Sequence, residues 1–186
     1  MNTFKKALIE TLIIREGDYV NDPTDRGGKT KFGITEAVAR DNDYNGDIEH
    51  LSYNVAFSIY EKRYWQPLKL DHIAAINQPL ALQLFDFGVN SGVSTASKAL
   101  QKTLNVLNRQ GALYSDIKAD GILGSKTLVA LKQFIAVRHL EGVTLLAEII
   151  RGQRISFCVD IAVNDPSQEK YQFGWLKRIV NLGDQT

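Results

Sequence analysis

Glu16, Asp25 and Thr30 are the residues of this chain whose types and spacing point most directly to chemistry. Eight residues separate the two acids, and four more separate Asp25 from Thr30. Pro23, Gly27, Gly28 and Gly33 fall in or just beyond that interval and favour turns over a regular element. One short segment can therefore carry two carboxyls and a hydroxyl to the mouth of a cleft. Two carboxyls flanking a glycosidic bond are the usual equipment for hydrolysing a sugar chain. One protonates the leaving oxygen, and the other stabilises positive charge or activates water.

Blander roles compete at each position. A carboxylate at a helix C-terminus, where Glu16 is expected, is disfavoured by the helix dipole, and that mild cost suggests a use. Asp25 is equally a residue that shapes an Asx turn, and Thr30 a strand residue without chemistry. Asp86 and Asn90 lie four apart, which places them on one helical face if the helix persists to Asn90. They either line the cleft or brace the Glu16 loop from behind. Tyr60, Tyr64, Trp65 and Trp175 are aromatics at helical spacing, suited to a core or to stacking on sugars; Tyr64 and Trp65 are carried forward as candidate substrate contacts.

Two other motifs fail on their own terms. Gly28-Lys29-Thr30 lacks the earlier glycine of a phosphate loop, because Pro23 stands there. Asp41, Asp43 and Asn45-Gly46 match the first half of a calcium loop, but Ser52 occupies the position of the bidentate glutamate. The three histidines, His50, His72 and His139, show no zinc-ligand spacing. No metal and no cofactor are expected.

The elements that position these residues read as mostly helix. Thr3 caps a first helix reaching about Arg15, with Phe4, Leu8 and Leu12 on one face. A glycine-rich loop follows, with a short hairpin around 29–34. Thr35 opens a short helix to about Arg40, and Ser52 caps one that reaches Tyr64-Trp65 and stops before Pro67. Asn77 and Pro79 open the next, with a bend between Gly88 and Gly92. Further helices are expected from Ser94 to about Leu107, from Ser125 to about His139, from about Thr144 to Val163 after a break at Gly142, and around Phe173 to Gly183. Seven or eight helices and one hairpin make a mainly α fold.

A hydrophobic content of 44% supports an ordinary core, and a net charge of +1 gives no basic surface for nucleic acid. The single cysteine, Cys158, excludes an internal disulfide. Glu10 interrupts the N-terminal apolar run, so the expectation is no signal peptide, synthesis in the cytoplasm and no stable membrane association.

The segment from Glu16 to Thr35 resembles the signature of the glycoside hydrolase family 108 lysozymes, E-G-G-Y-x-x-x-P-x-D-x-G-G-x-T-x-x-G-I-T/S. It matches at Glu16, Gly17, Tyr19, Pro23, Asp25, Gly27, Gly28, Thr30, Gly33, Ile34 and Thr35. It departs at Asp18, where the pattern has glycine. Asp18 also sets a like charge beside Glu16, which favours the protonated form an acid needs. The run from Phe85 through Asp86 and Asn90 to Gly92, and Asp120-Gly121 through Gly124 to Thr127, resemble the same family's later segments. So does Gly174-Trp175-Leu176 with Arg178. The D-G-x-x-G-x-x-T pattern is also similar to that of peptidoglycan-binding modules.

The resemblance implies a lysozyme-like helical fold and an N-acetylmuramidase acting on peptidoglycan glycan strands. Glu16 would be the general acid, Asp25 the second carboxylate and Thr30 a water holder. Asp86, Asn90, Tyr64 and Trp65 would line the substrate site. The E-x8-D spacing is similar to that of phage-type lysozymes and favours an inverting course. A monomer is expected, formed as a single compact domain over 1–186, with the catalytic motif in 1–92 and a peptidoglycan-binding-like helical half in 93–186. A phage or prophage endolysin would reach the wall after holin-type release or other export. Two readings compete: a non-catalytic wall-binding or secretion-linked protein, and a lytic transglycosylase that uses Glu16 alone and leaves 1,6-anhydro ends.

Overall fold

A computed structural model describes residues 3–20 and 28–183. It is mostly helical, with eight α-helices and one two-stranded sheet among the described residues. The chain divides into two compact units, Met1–Gln66 and Pro67–Thr186.

The first unit begins with α1 (Thr3–Glu16), which buries Ile9, Leu12 and Ile13 and packs on α3 (Tyr53–Tyr60). Strands β1 (Thr30–Lys31) and β2 (Ile34–Thr35) pair antiparallel, Thr30 with Thr35 and Lys31 with Ile34. Register leaves a two-residue turn, Phe32-Gly33, with φ of 54° and 71°. Two positive φ angles are what a tight hairpin needs to match strand twist. Thr35 then caps α2 (Glu36–Arg40) by accepting from Val38 N at 3.3 Å.

The half calcium loop is closed by protein rather than built for a cation. Arg40 Nη1 donates to the carbonyls of Tyr44 (2.8 Å) and Gly46 (2.6 Å). Asp47 turns the other way and caps the 3-10 turn Ile48–His50. Ser52 caps α3, as its sequence position predicts.

The helix expected to run through to Trp65 changes type on the way. After Tyr60 it becomes a π-helical turn, Glu61–Trp65, closed by Gln66 N donating to Glu61 O at 2.9 Å. The extra residue in that turn puts Tyr60 and Trp65, five apart, on the same buried side.

In the second unit, α4 (Leu70–Ala74) and α5 (Gln78–Ser91) come first. Every residue of α5 from Leu80 to Gly88 is buried, because α4, α6 (Val93–Leu107) and α7 (Ser125–Asn164) all pack on it. Asn77 caps it, accepting from Leu80 N at 2.7 Å. The bend expected in Gly88–Gly92 falls at the last of these residues: helix continues to Ser91, and Gly92, at φ 90°, makes the junction to α6. The kink in α7 falls at His139 (φ 53°), about where the helix from Ser125 was expected to end, whereas Gly142, the expected break, is helical. Gly142 serves packing instead, since a Cβ there would collide with Arg138 Cβ across the kink and press within 3.2 Å of Phe134. A 3-10 turn, Pro166–Gln168, leads to α8 (Glu169–Gly183), which packs on α7. Among the described residues, no helix is long and apolar enough to cross a membrane.

Candidate active site

Glu16 is the last residue of α1, and the backbone leaves the helix at Gly17 with φ 82°. The hairpin is stitched directly to this exit. Phe32 N donates to Gly17 O at 3.1 Å, and Val20 and Thr30 exchange both backbone bonds at 2.8 and 2.9 Å. The turn therefore lies against the Glu16 side chain. A Cβ placed on Gly33 would meet Glu16 Cβ and Cγ at 2.9 Å and Tyr60 Oη at 2.7 Å. Glycine is required there twice, for the positive φ and for the close approach. Tyr60 fixes the turn from the other side, its hydroxyl donating to Phe32 O at 2.8 Å.

The Glu16 side chain is held along its stem yet keeps 32% of its surface open. Arg15 Nη2 lies 3.6 Å from its Oε1, within reach to pair with an ionised carboxylate. Thr30, half-buried in β1, donates its hydroxyl to Gly28 O at 3.2 Å and keeps acceptor capacity for a water. Asp25 lies outside the described residues. Asp18, the departure from the signature, does not have a left-handed backbone, so glycine is not needed there for conformation. Its carboxylate accepts from Tyr19 N at 2.9 Å.

The other candidates fall in different surroundings. Trp65, expected as a substrate contact, is a core residue with no exposed surface. Phe4 packs edge-on at 6.3 Å and the Lys5 ammonium sits 5.9 Å from its ring, so no face is left for a sugar. Tyr64 is half-buried beside Tyr60, ring centroids 5.9 Å apart. Asp86 and Asn90 belong to the second unit. Asp86 is buried and ion-pairs with both Arg154 of α7 and Arg178 of α8. Asn90 Nδ2 donates to the Asp86 carboxylate at 3.1 Å, which confirms that the helix persists to Asn90. Arg154 also donates to Gln83, another buried residue of α5.

Tyr60 and Arg154 were not expected at these sites. Arg154 left a signal, standing alone among the apolar residues Val143, Leu146, Ala147 and Ile150 of its helix face. A lone arginine on such a stripe implies a buried partner. Tyr60 left none, because its partner is a turn carbonyl 28 residues away.

The D-G-x-x-G-x-x-T segment is ordered by one side chain. Gln101 Nε2 donates to Asp120 Oδ1 (3.0 Å), Ile122 O (3.0 Å) and Thr127 Oγ1 (3.2 Å), and its Oε1 accepts from Gly121 N at 2.9 Å. The bonds from Gln101 and from Ile122 N hold the Asp120 carboxyl below its ordinary range.

Residues 9–92 match the family model described as glycosyl hydrolase 108, and residues 95–180 match one described as a predicted peptidoglycan domain. No curated protein matches the chain. Among solved structures, the chain is similar to Brucella abortus SagA, with a TM-score of 0.70 and 24% identity over 98% of this chain and 92% of that one. That likeness is one of fold.

Proposed function

Residues 9–92 belong to the glycosyl hydrolase 108 family and residues 95–180 to a predicted peptidoglycan domain, and on that premise we propose that the chain is an N-acetylmuramidase. Its bond would be the β-1,4 link between N-acetylmuramic acid and N-acetylglucosamine in peptidoglycan. The observation that carries this reading is the seat of Glu16. Its stem is clamped by a glycine turn, and its carboxyl stays partly open at the end of α1.

In the proposed reaction Glu16 gives its proton to the leaving glycosidic oxygen as positive charge develops on the sugar ring. Asp25 stabilises that charge or takes a proton from the attacking water, and Thr30 helps to hold the water. The hairpin contributes by fixing Glu16, since a general acid acts only from a set position. We further propose action on the cell wall as a monomeric endolysin, after holin-type release or other export.

Digestion of purified sacculi by the wild type and by Glu16→Gln, with fragments read by mass spectrometry, tests the reading. The expected result is reducing-end N-acetylmuramic acid from the wild type and none from the variant. Anhydro ends would move the chain to the transglycosylases. Binding to sacculi without products would leave a wall-binding protein, and undiminished hydrolysis by Glu16→Gln would remove the assigned acid.

A further inference from the structure

The second unit contains a cavity of about 210 Å³ between α5, α7 and α8. Asp86, Asn90, Ser91, Arg154 and Arg178 are among its polar lining, and Phe87 and Trp175 among its apolar walls. Two guanidiniums meet one carboxylate there. The side chains of Arg154 and Asp86 are 3% and 6% exposed, so this charge set is held away from water. One arginine is balanced by Asp86 and the other is in excess. Arg178 is the more open of the two, at 23%, and its Nε–H is buried without a hydrogen-bond partner among the described residues. Cys158 lines the same cavity, but burial pushes its thiol up, so it stays neutral and does not offset the excess positive charge.

A cationic excess in a small cavity with an aromatic wall selects a monoanion attached to a compact apolar group. The planar guanidinium fork matches a carboxylate. The volume admits the end of a short peptide and not a length of glycan. We propose that this cavity binds the C-terminal carboxylate of a short peptide of small apolar residues, as carried by the stem peptides of peptidoglycan. The proposal rests on the peptidoglycan reading above and adds a peptide subsite, remote in sequence from Glu16, to a glycan-cleaving chain.

The test uses the full chain as Glu16→Gln, so that hydrolysis plays no part. N-acetyl-D-alanyl-D-alanine and its C-terminal amide are titrated calorimetrically, with the L,L acid as a third arm. The acid is expected to bind, and the amide at least tenfold more weakly. Preference for the D,D acid identifies a wall stem, and preference for the L,L acid an ordinary protein terminus. Arg178→Gln should weaken the acid at least tenfold. Because that variant could lose its fold, alkylation of Cys158 by iodoacetamide gives a second readout in the parent, and the bound acid should slow it severalfold while the amide does not. Equal binding of acid and amide, or no binding and no protection, overturns the proposal. Sacculus digestion by the wild type is measured alongside. Hydrolysis without carboxylate binding removes the subsite alone, and carboxylate binding without hydrolysis removes the muramidase reading alone.

Discussion

At the scale of single residues, the candidate active site depends on a glycine that touches its acid. Gly33→Ala would force a left-handed alanine and drive its methyl into the Glu16 stem and the Tyr60 hydroxyl. We predict a loss of about 2 kcal/mol or more in stability and of roughly tenfold in sacculus hydrolysis, through displacement of the acid. Denaturant unfolding and turnover on sacculi check the two separately, and an alanine variant with wild-type turnover would show that the turn does not position Glu16. Tyr60→Phe removes one hydrogen bond while keeping the ring. Its expected effect is smaller, about 1 kcal/mol. If unfolding in urea shows no change, the bond to Phe32 contributes nothing measurable.

At the scale of elements, the turn leading into α7 is held by Gln101 of α6. Gln101→Leu would leave the Gly121 N–H without its acceptor and three oxygens without their shared donor. A cost of about 1–3 kcal/mol is expected from the two of these groups that are buried, the Gly121 N–H and the Thr127 hydroxyl. Gly121 itself, at φ 84°, lies hard against Ser94, so the turn has little freedom to find other partners. The same bonds make a pH prediction. Asp120 is held below its ordinary value of 3.8, so its carboxylate favours the folded state above that pH. That contribution falls away as pH drops through 3.8 towards the lower folded-state value. Asp120→Ala should therefore be less stable than wild type near neutrality, and the gap should close in acid. A gap that stays constant from pH 7 to pH 2 would refute the assignment.

At the scale of the molecule, the family boundary and the packing boundary differ. The glycosyl hydrolase match ends at Gly92, whereas the compact units divide after Gln66. Helix α5 thus belongs to the first segment by sequence and to the second unit by packing. A fragment ending at Gly92 would strip α5 of α6 and α7 and expose Leu80, Leu84 and Phe85. We predict that residues 1–92 alone aggregate or lack a cooperative melt, while the full chain melts cooperatively. Circular dichroism and sedimentation check this, and a well-folded 1–92 fragment would contradict it. Asp86→Ala probes the same packing. It leaves Arg154 buried without its carboxylate and should cost about 3–5 kcal/mol.

Local signals in the sequence determined most of the helices and the hairpin. Thr35, Ser52 and Asn77 are caps whose oxygens bond within three residues, and the Phe32-Gly33 turn needs only its own two φ angles. The order Glu16, Asp25, Thr30 also needs no partner to be legible. Tertiary structure decided what depends on distant atoms. The π-helical turn put Trp65 in the core, where its aromatic character alone had equally suited a sugar face. Gly33 was legible as a turn residue, but not as the surface on which Glu16 rests, because that contact joins two ends of a loop. Asp86 could be read as part of a motif; its two arginines, 68 and 92 residues further on, could be found only once α5, α7 and α8 had packed.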